Sequence, residues 1–372
     1  MKDKDFNLQT RYFLLLIFVV LLCTGIQSSA KQTSGIILKD EQVPITPKEF
    51  YIANVIDDRD DRSAVAWLLP AASKENQPKT YPVDLQGGGF IAIKQFISHN
   101  LPCNKALTPV IINLKKFMVT ESALAGGLVQ GHIAILMSFN LQQKDTTIHL
   151  LDYKGNAAYT RNAGPPQDIE PTLRHTLENG LVYLNTWIDQ QAGTNIKLAK
   201  GVKVTFKDYE EKPEGDSVYY TVNRPLTLDD FKSKIPARRF DAEVFPGLGY
   251  DEHKEIIKGI IHVSLAMKVY LPKSASWIRD GSRNDYTLNH EQRHFDIVKI
   301  VAERFKQKIN AANLTVDNYE GIINFEYLET YREMDSLQKQ YDAETRHGDD
   351  PSAQKQWNEK IDKELKSYGV RR

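Results

Sequence analysis

Apolar and polar positions alternate with period two in some stretches of this chain and recur every three to four residues in others. The two periods divide it into elements. Phe50-Tyr51-Ile52-Ala53-Asn54-Val55-Ile56 reads as a strand, and residues 64–69 form a second, shorter candidate. Three further period-two runs follow at residues 110–119, 128–139 and 146–153. Between these groups, residues 90–99 predict a helix with Phe90, Ile93 and Ile97 on one face. Ile169, Leu173, Leu177, Leu181, Leu184 and Ile188 keep helical spacing and predict a long amphipathic helix. Strands followed by a packed helix in this order predict an α+β domain over residues 47–208.

A charged stretch at residues 207–216, broken by Pro213 and Gly215, marks a domain boundary. The second domain, residues 215–372, opens with a strand at 217–222 and a capped short helix at Thr227-Leu228-Asp229-Asp230-Phe231. In residues 259–271, Val263, Leu265, Met267, Val269 and Leu271 fall on one face and Ser264, Ala266, Lys268 and Tyr270 on the other, until Pro272 stops the strand. A polar turn at 280–285 leads into a helix over 288–310, capped by Asp285 or Thr287, with an apolar stripe of Phe295, Val298, Val301, Ala302, Phe305 and Ile309. A second helix is predicted over 316–346. A third starts near Pro351 and buries Trp357, Ile361 and Leu365.

Composition narrows the setting. The 372 residues carry 48 basic and 48 acidic side chains, which gives no case for a nucleic-acid or anionic-membrane partner. Residues 1–30 read as an export signal: Lys2, Lys4 and Arg11 precede the apolar run 12–22, and Ser28-Ser29-Ala30 offers a cleavage site. The run is short for a membrane span, so no integral span is expected after cleavage; an uncleaved anchor is the alternative. Cys23 suggests lipidation only weakly, because Leu22 stands where a small residue is wanted. Residues 31–46 read as a linker. Once the signal is removed only Cys103 remains, expected as a packed thiol with no disulfide partner. An exported protein with one cysteine fits the periplasm or surface of a bacterium. Gly87-Gly88-Gly89 reads as a turn, Asp57-Asp58-Arg59-Asp60-Asp61-Arg62 as a solvated loop, and His132 and His149 as structural.

The chemistry concentrates in His290-Glu291-Gln292-Arg293-His294. Histidines four apart share one helical face and can hold one ion, and the glutamate between them can reach a water on it. This is the pattern of zinc hydrolases in which the glutamate is the general base. Catalytic zinc takes three protein ligands, so a third must come from elsewhere. The richest stretch is Tyr341-Asp342-Ala343-Glu344-Thr345-Arg346-His347-Gly348. His347 is the first choice, since imidazole suits zinc and Gly348 would end the helix beside the cleft; Asp342 and Glu344 are the alternatives. Glu320, Glu326 and Glu329 lie within the spacing that glutamate-ligand zincins use, but each fits equally well as part of a solvated helix face. A purely structural zinc site usually draws on cysteine, which this domain lacks. Tyr341 and Arg346 are candidate donors to an oxyanion, and Asp296 a candidate partner of a ligand. The strand at 259–271 is expected to form the edge beside the cleft, where a peptide adds by main-chain pairing.

These motifs also carry a resemblance. His290-Glu291-Gln292-x-His294-Phe295-Asp296-Ile297, Tyr341-Asp342-x-Glu344-Thr345-x-His347-Gly348 and Gln354-x-x-Trp357 resemble a bacterial family of exported proteins regarded as zinc-dependent proteases, over residues 215–372. The resemblance implies a zincin-like metallopeptidase domain with zinc on His290 and His294, Glu291 as base, the 341–348 segment as the second half of the site, and a peptide or protein substrate. The first domain is similar, through Asn54-Val55-Ile56-Asp57-Asp58-Arg59 and its order of elements, to small bacterial envelope lipoproteins with an α+β fold, which suggests an envelope partner. The competing class is a non-catalytic envelope binding or assembly protein whose second domain is a degenerate zincin.

Overall fold

The computed structural model describes residues 35–70, 79–144, 146–163, 169–236 and 240–370. The expected export signal and Cys23 lie outside these residues. The chain is mixed α+β and divides into two compact units, Met1–Asn185 and Thr186–Arg372. Among the described residues no helix is long and apolar enough to cross a membrane.

In the first unit, β1 (Phe50–Asp57), β2 (Ala66–Leu68), β3 (Tyr81–Val83), β4 (Thr108–Leu124), β5 (Leu128–Gln142) and β6 (Thr147–Asn162) form one sheet in the order β3-β2-β4-β5-β6. β1 pairs in parallel with the first half of β4, and β2 with its second half. The central strands run longer than their apolar alternation predicts, because β4, β5 and β6 continue as a paired meander past the buried positions. Helix α1 (Gly89–Asn100) turns Ile93, Phe96 and Ile97 inward. Helix α2 (Glu170–Gln191) buries the predicted leucines and lies close on the sheet: a Cβ on Gly180 would meet the Met137 sulfur at 3.0 Å. The segment expected to be a linker is tied to this unit. Ile36 bridges Leu85, Val43 is buried, and Glu41 pairs with Arg174 at 2.9 Å. Cys103 is exposed rather than packed.

In the second unit, β7 (Gly201–Asp208), β8 (Ser217–Tyr219), β10 (Gly247–Ile257) and β11 (Ile260–Pro272) form a four-stranded sheet, while β9 (Ala242–Glu243) pairs with β12 (Trp277–Ile278). β11 is the strand expected at the edge, and it is interior. β10 pairs along one side of it, and β7 and then β8 occupy the other. Its alternating apolar face therefore marks a strand with core beneath it. The outer place in the hairpin belongs to β10, whose Asp251, Glu252, His253, Lys254 and Glu255 hide it from a hydrophobicity pattern and suit an edge. The domain boundary also falls earlier than the charged stretch at 207–216, because β7 joins this sheet through its parallel pairing with β11.

Three helices complete the unit: α3 (Asp285–Ala311), α4 (Tyr319–Thr345) and α5 (Pro351–Ser367). α3 starts three residues before its predicted start. Its cap is Asn284, whose Oδ1 accepts the N–H groups of Tyr286 and Thr287 at 3.0 Å each. Phe295, Val298, Val301, Ala302, Phe305 and Ile309 pack into the sheet-side core. Ile297 and Ile300 face a second core made with Tyr341, Trp357, Ile361 and Leu365 of α4 and α5. α3 is thus apolar on two faces and is buried without a break from His290 to Ala302.

Candidate metal centre

Burial on both sides makes a partner costly to do without for the polar groups in the first half of α3, and all but Glu291 Oε2 find one. Asp296 is fully buried and accepts from Tyr220 Oη at 3.0 Å, Gln292 Nε2 at 2.9 Å and Arg293 Nη1 at 3.1 Å. Gln292 Oε1 in turn accepts the Leu226 N–H at 2.7 Å, which ties the loop before the sheet to the helix. Arg293 reaches across to Asn358 at 3.0 Å and Asp362 at 2.5 Å on α5. These are clamps between elements, and they account for Asp296 without a role at an ion.

The two histidines are held differently. His290 Nδ1 lies 2.8 Å from Gln354 Oε1, and His294 Nδ1 lies 2.5 Å from Gln338 Oε1. Each amide is oriented by a second bond: Gln354 Nε2 donates to Asn358 Oδ1 at 2.9 Å, and Gln338 Nε2 donates to the His294 carbonyl at 3.0 Å. An amide oxygen only accepts, so both Nδ1 atoms carry the proton and both Nε2 atoms present lone pairs. Those Nε2 atoms point at one oxygen. Asp342 Oδ1 lies 3.5 Å from His290 Nε2 and 3.0 Å from His294 Nε2. The donor atoms of His290, His294 and Asp342 all lie within 4.8 Å of one another. With neutral rings, two Nε2 lone pairs facing a carboxylate in this largely buried site repel; a metal ion among them relieves this, as does a proton on His294, whose pKa Asp342 raises in spite of burial, so the group could hold a metal ion.

The electrostatics agree. Burial works against the Asp342 carboxylate, but the His290 and His294 imidazoles that face it outweigh burial and hold its pKa well below the usual range. Glu291 is buried, with Oε2 lacking any hydrogen-bond partner. Burial pushes its pKa up, partly offset by His294 and His290. A carboxylate oxygen left unengaged beside the donor group is available for proton transfer.

The remaining candidates fall into place around this group. His347, the first choice for third ligand, is not among its donors. α4 ends in three left-handed residues, Arg346 (φ 52), His347 (φ 56) and Gly348 (φ 87), which turn the chain away after Thr345. The His347 ring packs at a tilt against Phe240, centroids 4.0 Å apart, and keeps Nδ1 3.5 Å from Asp342 Oδ1. Glu344 faces elsewhere, accepting from Trp357 Nε1 and Gln340 Nε2 at 2.8 Å each. Tyr341 does not offer its hydroxyl to an oxyanion. It is fully buried, its ring stacks on His290 at 4.8 Å, and its Oη accepts from Gln354 Nε2 at 2.6 Å. Arg346 is an exposed helix cap. Glu320 pairs with Lys254 and Glu329 with Arg332. Gly348 lies against the site: a Cβ there would come within 3.4 Å of the His290 ring, and Tyr286 Oη donates to its carbonyl at 2.7 Å. Gln338 and Gln354 were not anticipated as partners of the histidines; the only signal was Gln354 within the motif Gln354-x-x-Trp357.

Fold and site together define an α+β protein with a His-His-Asp group, its histidines buried and its aspartate partly so, that could hold a metal ion. Residues 261–348, from β11 to the turn after α4, match the family model described as a bacterial protein of unknown function (DUF922). That span contains all three donors, Glu291 and Gln338. No curated protein matches the chain. Among solved structures, the chain is similar to the crystal structure of a Xanthomonas campestris protein assigned to the family model DUF330, at 9% identity over 42% of this chain and 97% of that one. The TM-score is 0.28, and the likeness carries no argument.

Proposed function

We propose that this chain is an exported zinc-dependent metallopeptidase with a zincin-like catalytic domain. One observation carries the reading: the two lone-pair Nε2 atoms and Asp342 Oδ1 converge beside a buried glutamate whose Oε2 has no partner. Two imidazoles and one carboxylate are a donor set that suits zinc and leaves a position open for catalysis. A bound zinc ion would supply the Lewis acid that acidifies water and polarises a scissile carbonyl.

The chain's own residues divide the remaining work. His290, His294 and Asp342 would hold the ion. Gln354 and Gln338 fix the tautomers that make the histidines ligands. Glu291 takes the proton from water and delivers it to the leaving amine, a transfer helped by its burial, which raises its pKa. His347, half-exposed at the rim and braced by Phe240, is placed to contact what binds there. The export signal read in residues 1–30 puts this activity in the periplasm or at the cell surface, on peptide or protein substrates.

The test is substitution at the base. Glu291→Gln is expected to keep about one zinc per chain while hydrolysis of β-casein falls by about a hundredfold or more. His290→Ala is expected to lose the metal as well. Glu291→Gln protein that cleaves casein at the parent rate would refute the assignment.

A further inference from the structure

Among the described residues, β7 has β11 on one side and no strand on the other. One bond fixes which of its main-chain groups face which way. The Tyr209 N–H donates to the Met267 carbonyl at 2.8 Å, continuing the parallel ladder. In such a ladder alternate residues turn both N–H and C=O toward the partner strand. The odd-numbered residues of β7 therefore bond β11, and Val202, Val204 and Phe206 turn their N–H and C=O groups outward. Among the described residues these outward groups meet no hydrogen-bond partner.

That edge opens onto a cavity. Val204, Thr205 and Phe206 line a cleft of about 610 Å³ together with Gln307 and Asn310 of α3 and Tyr368 just past α5. Successive strand side chains point to opposite faces, so a cleft touched by three residues in a row borders the edge of the strand. The charges on its wall are matched among themselves: Lys306 Nζ donates to Glu303 Oε1 at 2.8 Å and to Asp208 Oδ1 at 2.7 Å. Among the described residues the Gln307 and Asn310 amides have no hydrogen-bond partner and are available to a main chain. The cleft is remote from the candidate donors. Lys306 follows His294 by twelve residues, roughly 18 Å along α3.

The two faces of β7 differ in charge. Val202, Val204 and Phe206 pack against the sheet-side core. Lys203 and Lys207 lie on the opposite face and are exposed, and neither side chain has an ion-pair or hydrogen-bond partner among the described residues. Lysines on an open edge keep like edges apart. A second copy of β7 would gather four of these charges on one face, whereas acidic side chains beside them attract.

We propose that β7 receives an extended polypeptide segment by main-chain pairing, and that this segment alternates acidic and apolar residues. Its N–H and C=O groups complete those of Val202, Val204 and Phe206. Its acidic side chains stand beside Lys203 and Lys207, and its apolar ones enter the cleft beside Phe206. Main-chain bonds supply the affinity and the lysines supply the sequence preference. Binding there needs no metal.

The probe is an acetylated, amidated nonapeptide of alternating Glu and Val, with a Lys-Val nonapeptide as control, titrated against the full chain by fluorescence anisotropy. The parent is expected to bind the Glu-Val peptide about tenfold more tightly than the Lys-Val peptide. Val204→Pro removes one outward N–H and spares the ladder to β11, as a proline on an edge strand can. Glu-Val binding should then fall about tenfold while the melting temperature holds. The Lys203→Glu, Lys207→Glu double variant changes only exposed positions and should exchange the preference, favouring the Lys-Val peptide. A parent that binds neither peptide, or both alike, overturns the proposal, as does a folded Val204→Pro variant that binds as the parent does. If Val204→Pro melts early, the double variant decides: an unchanged preference overturns the pairing and a reversed one supports it.

Discussion

Two neutral amides orient the donor histidines, and that choice has a measurable consequence. A carboxylate on Nδ1 would add negative charge to the site, whereas Gln338 and Gln354 fix each ring while leaving the charge to Asp342 alone. Gln354→Ala or Gln338→Ala should therefore release a ring to rotate and lower zinc affinity about 10- to 100-fold, as read by competition with a chelator. Unchanged affinity in both variants would show that neither amide positions a ligand. At this scale the sequence was legible where local geometry suffices. The four-residue interval between His290 and His294 puts both on one face of any helix. The choice between Asp342 and His347 was not local. It turned on where α4 stops being helical: Asp342 lies within the last turn on the face shared with Gln338, and the left-handed φ of Arg346 carries His347 off that face.

Elements are decided by what covers them. β11 and β10 are hairpin partners, yet only β11 shows clean alternation, because one of its faces is core and it has neighbours on both sides. In the first unit the same logic produces a buried ion pair. Glu121 on β4 accepts from Arg161 on β6 at 2.7 Å, from Tyr159 Oη at 2.7 Å and from the Leu69 N–H at 2.7 Å, and both charged side chains are almost completely buried. Burial pushes the Glu121 carboxyl up, but Arg161 and the other donors overcome it and hold the pKa below the ordinary 4.5. A carboxyl depressed in the folded state contributes stability above its unfolded pKa and loses it as pH falls through the folded one. Arg161→Met removes the partner and leaves a buried unpaired charge, at a cost of about 3–5 kcal/mol near pH 7. With the arginine gone, burial is opposed only by the Tyr159 and Leu69 donors and the Glu121 pKa rises, so the deficit should shrink as pH drops toward 5 and the carboxyl takes up a proton. Denaturant unfolding of parent and variant at both pH values checks the size and the direction.

The whole molecule consists of two units, and the candidate centre lies entirely in the second. Among the described residues, the cores that surround it are drawn from Ala199 to Val370, all in the second unit. A fragment of residues 186–372 is therefore expected to fold cooperatively and bind zinc with the affinity of the full chain, measured by thermal unfolding and metal titration. A fragment that melts non-cooperatively or loses the metal would show that the first unit is required. The sequence by itself determined the α+β class, the amphipathic helices, the existence of an alternating strand before α3 and three residues of the candidate site, because each follows from spacing within a single element. Tertiary structure alone decided the unit boundary, the interior place of β11, the position of Asp342 beside the two histidines and the bonds of two glutamines to them. Each of these depends on which side chain of one helix faces a particular atom of another, and a one-dimensional pattern holds no such distance.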